Sequence, residues 1–142
     1  VKVMEELILK KKKKIKRSTK AGIIFLVRFK NKYLLGKSKK KILQGLYEFP
    51  TSEYIEYKEN NERENIYRSQ MKEWKKKNKI SENSKIITTF EHNFSHFQLK
   101  VLMVEIILNR KKKVNDFLWF TMNGLKKKPI SKLMSKAQKN IL

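Results

Sequence analysis

Residues 90–108, FEHNFSHFQLKVLMVEIIL, carry a polar, aromatic turn that runs straight into the most apolar stretch of the chain. After the turn, Phe97, Leu99, Val101 and Met103 alternate with Gln98 and Lys100, the period of two of a strand with one buried face. From Val101 to Leu108 the alternation stops and only Glu105 interrupts the apolar residues. Both faces must then be covered, so the strand predicted here is interior, with helices or loops above and below it. A turn at the mouth of such a strand is held rigidly, and the rest of the chain is read as organised around it.

Residues 21–29, AGIIFLVRF, form an apolar, β-branched run, a polar turn follows at 30–32, and Tyr33, Leu34 and Leu35 resume the pattern. This predicts a β-hairpin. In GLYEFP, residues 45–50, Gly45 allows a sharp entry, Leu46 and Phe49 can be buried, and Pro50 ends the strand by removing a ladder donor. Taken alone, the segment reads equally as an ordinary edge strand. Residues 61–79 place Ile66, Tyr67, Met71 and Trp74 on one face of an amphipathic helix. Strands follow at 86–90 and 117–120, with a charged turn at 109–113 and another turn at 122–125. Ser131 is placed to cap a closing helix whose stripe is Leu133, Met134, Ala137 and Ile141. Sequential strands with one long helix inserted predict an α+β sandwich rather than an alternating βαβ fold.

The chain has 142 residues, enough for one domain with one core. It opens with Val1, and we expect it to be a piece of something longer. The 36 Lys and Arg against 13 Asp and Glu give a net charge of +23, which favours a polyanionic partner. Only five of these cations are Arg, and Asn and Ile are also frequent, a composition that AT-rich codon drift produces without selection for binding. Lysine gives salt-sensitive attraction to phosphate rather than base reading. Residues 10–14 are all lysine, with Lys16 and Arg17 beyond, so 1–17 reads as a solvated basic linker or arm and 18–142 as the domain. The absence of cysteine excludes disulfides, thiolate zinc sites and iron–sulfur clusters within this chain, and fits a reducing cytoplasm. No apolar run approaches the length of a membrane span.

The catalytic signal is weak. His92 and His96 are the only histidines, and with Glu91 they lack a third clear ligand at metal-binding spacing. Glu48, Glu53, Glu56, Glu59, Glu62 and Glu64 read as a solvated helix entry. Phe94, Ser95 and His96 present a π-face, a small donor and acceptor, and an imidazole on three successive residues, a set suited to a flat heterocycle. Equally open is the plainer reading in which Phe94 and Phe97 are core, Ser95 caps the turn and His92 is half-buried.

Three segments together resemble a family. His92-Asn93-Phe94-Ser95-His96-Phe97-Gln98-Leu99 resembles the phenylalanine-serine-histidine loop of the C-terminal domain of A/G-specific adenine DNA glycosylases of the MutY type. GLYEFP is similar to that family's Gly-Leu-Trp-Glu-Phe-Pro, with Tyr47 in the tryptophan position, and Lys128-Pro129-Ile130-Ser131-Lys132-Leu133 resembles its C-terminal helix entry. The order is the same over about residues 20–142.

The resemblance implies a Nudix-like fold, a mixed β-sheet sandwiched by helices, that reads 8-oxoguanine opposite adenine in duplex DNA. In it Ser95 would contact the lesion, Phe94 would pack or wedge beside it, and His96 would fix the loop or approach a phosphate. His92, Gly45, Glu48, Phe49 and Pro50 would support them. The family's excision chemistry lies in an N-terminal glycosylase domain with an iron–sulfur cluster, so this chain is expected to bind rather than cut, as a monomer beside that domain, in the bacterial cytoplasm, with no cofactor or metal of its own. Two departures stand out: Thr51 and Ser52 replace the glycines usual after the proline, and YRSQMKEWKKK lacks the acid-rich REXXEE helix of Nudix hydrolases. The alternatives are a divergent Nudix pyrophosphohydrolase acting on oxidised nucleotides, and a basic nucleic-acid-binding module without base reading.

Overall fold

The computed structural model describes residues 18–38 and 45–141. The basic linker expected at 1–17, and part of the basic loop at 36–41, lie outside the described residues. The strands are β1 (Ser18–Phe29), β2 (Lys32–Lys37), β3 (Tyr47–Glu48), β4 (Ile55–Tyr57), β5 (Ser84–Asn93), β6 (Phe97–Ile107) and β7 (Phe117–Thr121). The helices are α1 (Asn60–Lys77), α2 (Met122–Lys126) and α3 (Lys132–Lys139). They build one mixed sheet in the order β3-β2-β1-β6-β5, with β4 also paired to β1 and β7 to β2.

The apolar octet of β6 is interior, as its sequence demands. On one side β6 runs parallel to β1, from Ser18 opposite Phe97 to Arg28 opposite Ile107, and on the other it pairs antiparallel with β5. Alternate residues serve two cores. Ile23, Phe25, Val27, Leu102, Val104 and Ile106 face α1, where Trp74 stacks on Phe25 with ring centroids 3.9 Å apart. Ile24, Leu26, Leu99, Val101 and Met103 face α3, against Leu133, Met134 and Ala137. Each fully buried Val, Leu, Ile, Phe or Met side chain among these stabilises the fold by roughly 1.5–3 kcal/mol before ordering costs. Glu105 is tolerated because it lies opposite Leu26 at a partly exposed position.

The helix expected at 61–79 is α1, its face formed as predicted by Ile66, Tyr67, Met71 and Trp74. Ser131 caps α3, its hydroxyl accepting from the Met134 N–H at 3.3 Å. The hairpin at 21–35 exists, but its two strands pair only at Arg28–Tyr33 and Phe29–Lys32, because β2 then turns away to β7 and β3. The turn expected at 122–125 is instead α2, nucleated by Thr121, whose side chain accepts from the Gly124 N–H at 3.2 Å. Gly124 sits inside this capped helical turn. Among the described residues no helix is long and apolar enough to cross a membrane.

Candidate functional site

β5 continues to Asn93, so His92 belongs to the strand, opposite Leu99, and not to the turn. The Phe94 N–H donates to the Phe97 carbonyl at 2.8 Å, which leaves Ser95 and His96 as a two-residue tip. Gln98 donates to Glu91 at 3.2 Å and to Asn93 at 3.1 Å, and Lys100 pairs with Glu91, so the strands beneath the tip are tied across their polar face. Beneath the other face lies an aromatic stack. Phe94 and Phe97 rings stack at 4.7 Å, His92 packs edge-on against Phe94 at 4.8 Å, and Lys20 stands 4.4 Å over Phe97.

The geometry therefore divides the predicted residues. His92 and Phe94 line a cavity of about 300 Å³ together with Leu46, Glu48, Tyr54, the cap Ser131 and residues 132–134 of the first turn of α3. Ser95 and His96 are exposed at the tip, and among the described residues neither side chain has a hydrogen-bond partner. Phe94 is half-buried against the α3-side core, so in this respect the plainer reading of that phenylalanine also holds. Phe49 is core at 2% exposure, Pro50 is buried with its carbonyl accepting from the Phe25 N–H at 2.8 Å, and Gly45 takes φ +89°, the left-handed region that glycine permits. Those three shape the approach of β3 and do not line the cavity.

Two groups in the cavity wall have shifted ionisation. Burial, then the charge of Glu48, pushes the Tyr54 phenol up to about 12, against a hydrogen bond from Thr51 that works the other way. Burial, then Lys136 and Lys132, holds the His92 imidazole below its ordinary range, and its buried Nδ1 has no hydrogen-bond partner among the described residues. A neutral phenol and a neutral imidazole are what this wall presents near neutral pH.

Tyr54, Gly22, Lys20 and Lys136 were not singled out by the sequence. Tyr54 lies across β1 at Gly22, where an added Cβ would come within 2.5 Å of the ring. A glycine inside an apolar strand is the one sequence signal for such a close approach. The lysines carried no signal in a chain this rich in them.

No three His, Asp or Glu gather to hold a metal ion among the described residues. In α1 the carboxylates are Glu62, Glu64 and Glu73, of which the first two stand at its start and the third near its end. That donor set does not fit the divalent ion of an acid-rich Nudix helix. The lack of cysteine likewise leaves no ligands for an iron–sulfur cluster.

A Nudix domain family model matches residues 23–140, and the chain belongs to that family. The fold is similar to that of the C-terminal domain of mouse MUTYH, solved in complex with human PCNA, at 14% identity and TM-score 0.62, covering 86% of each chain. It is as similar to the E. coli ORF135 protein, at 9% identity and TM-score 0.63, covering 88% of this chain and 89% of that one. A MutT Nudix hydrolase from Burkholderia pseudomallei matches at 14% identity and TM-score 0.61, covering 89% of this chain and 100% of that one. At these identities the likeness is one of fold. Curated proteins give no match by sequence.

Proposed function

We propose that this Nudix domain is a lesion-reading module of the adenine DNA glycosylase type, which binds 8-oxoguanine opposite adenine in duplex DNA through the tip at Ser95. The observation that carries this is the convergence of three segments remote in sequence. Leu46 and Glu48, His92 and Phe94, and Ser131 to Met134 surround one cavity, and these are the three segments that resemble the glycosylase C-terminal domain. The exposed tip continues directly from Phe94. Relative to guanine, 8-oxoguanine gains an N7 donor and an O8 acceptor, and a serine hydroxyl beside its own main-chain N–H complements both. Lys132, exposed on the cavity wall, supplies attraction to phosphate without sequence preference. Adenine excision would belong to a separate glycosylase domain, since this chain has no cysteine to ligate that domain's iron–sulfur cluster.

The test is the affinity of the chain for duplexes with 8-oxoguanine or guanine opposite adenine, at two salt concentrations, beside Ser95→Ala. We expect discrimination of about 1–3 kcal/mol in favour of the lesion, lost in the variant. Equal binding of both duplexes by both proteins would overturn lesion reading. Magnesium-dependent release of pyrophosphate from an oxidised nucleoside triphosphate would replace it with the hydrolase reading.

A further inference from the structure

The opposite end of β6 carries a second cationic site that the reading tip does not use. β6 begins at the tip and ends at Ile107, ten residues on, which places the chain beyond it roughly 33 Å away. There the loop after β6 and the loop after α1 enclose a cleft of about 350 Å³ lined by Lys79, Ser81, Glu82, Asn109, Arg110, Lys111 and Lys112. The last turn of α1 adds Lys75, Lys76 and Lys77 immediately before it. The helix dipole explains the lysines of that last turn, but it gives no reason for Arg110 to Lys113.

The frame of the cleft is built. The Asn109 N–H donates to Glu82 at 2.8 Å, which holds that carboxyl below the usual range, and Lys112 donates to the Lys79 carbonyl. Trp119 Nε1 donates to the Lys112 carbonyl at 2.9 Å, and the Ile80 N–H to the Lys75 carbonyl at 2.9 Å. The single carboxylate of the cleft is thus engaged with main chain. Arg110 and Lys111 are exposed, and among the described residues their side chains have neither an ion-pair nor a hydrogen-bond partner.

We propose that this cleft is a second contact for the phosphate backbone of duplex DNA, about one helical turn from the tip. It rests on the reading above only for the identity of the nucleic acid. A duplex repeats every ~34 Å, close to the length of β6, so one domain lying along it meets phosphates at both ends. The second contact adds affinity and carries no lesion preference.

The experiment compares the chain with Lys79→Gln/Arg110→Gln/Lys111→Gln, and with the charge-matched control Lys37→Gln/Lys58→Gln/Lys139→Gln, on duplexes of ~8 and ~24 base pairs. On the long duplex the cleft variant should flatten the plot of log affinity against log salt by about 2–3, near 0.9 per lost contact, and the control by much less. On the short duplex the cleft variant should behave as the unaltered chain, and its ratio of lesion to undamaged binding should be unchanged on both. Equal flattening by the two variants, or an equal effect on both lengths, would mean that only net charge is felt and would overturn the proposal. Loss of the lesion ratio in the unaltered chain would count against the reading tip alone, leaving the cleft to be judged by the salt slopes. Thermal unfolding of each variant separates a folding defect from a binding one.

Discussion

At one end of β6 Lys20, Lys100 and Lys136 are engaged with the protein itself, and at the other Arg110 and Lys111 are left to solvent. Near the tip Lys20 lies over the Phe97 ring, Lys136 donates to the Glu91 carbonyl at 3.2 Å, and Lys100 pairs with Glu91. What is left open at the tip is a small pair, Ser95 and His96, above an aromatic stack. Beyond Ile107 the carboxylate and the main chain hold one another, and Arg110 and Lys111 stand outside that frame. A surface that must discriminate benefits from few, fixed contacts, whereas one that only attracts phosphate benefits from charge that nothing nearby neutralises. The lesson is that a net charge of +23 is not one property of this chain. The fold sorts the same residue type into different duties.

The largest effect is expected where both ends depend on one core. Phe25 is fully buried and stacked on Trp74, so Phe25→Ala should cost about 3–5 kcal/mol of stability. Denaturant unfolding measures this, and binding at both ends should fall together as the folded fraction falls. A loss confined to one end would show that the two are not held by a common sheet.

A smaller change separates them. Gly22→Ala drives a methyl into the Tyr54 ring at the cavity, a contact of 2.5 Å that must relax, for about 1–3 kcal/mol. Lesion discrimination should drop while the salt dependence contributed by the distant cleft persists. If discrimination survives intact, Tyr54 and the cavity are not coupled to the tip.

The smallest effect is one of pH. His92 is held below its ordinary pKa chiefly by burial, so the folded state favours the neutral ring and the unfolded chain takes up the proton first. The contribution to stability is complete above the unfolded value of about 6.5 and declines as pH falls from there through the folded value. Between pH ~7.5 and ~5.5 the unaltered chain should therefore lose more stability than His92→Gln, read from denaturant midpoints. Equal losses would show that His92 ionises as freely folded as unfolded.

Much of this was legible in local pattern, and the exceptions have physical causes. The apolar octet of β6 required covering on both sides, the stripe of α1 required a sheet beneath it, and Ser131 announced the start of α3. His92 was misplaced in the turn because Glu91-His92-Asn93 looks polar and loop-like. It is a strand segment because its partners, Lys100, Leu99 and Gln98, continue the ladder. Met122 to Leu125 read as a turn, and Gly124 disfavours helix, yet Thr121 supplies the cap that the short helix at Met122–Lys126 needs. Gly22 gave the only hint of Tyr54, since a missing Cβ marks an approach without naming what approaches.

By itself the sequence determined the α+β class, the main elements, their buried faces and the three segments whose resemblance pointed to a reading tip. These follow from periodicity, caps and motifs, which act over a few residues. Only the tertiary structure decided that β1 lies parallel to β6, that segments at 46–48, 92–94 and 131–134 share a cavity, and that Lys79 and Arg110 line one cleft. Those are contacts between residues tens of positions apart, set by how the sheet pairs and twists as a whole, and no local pattern encodes them.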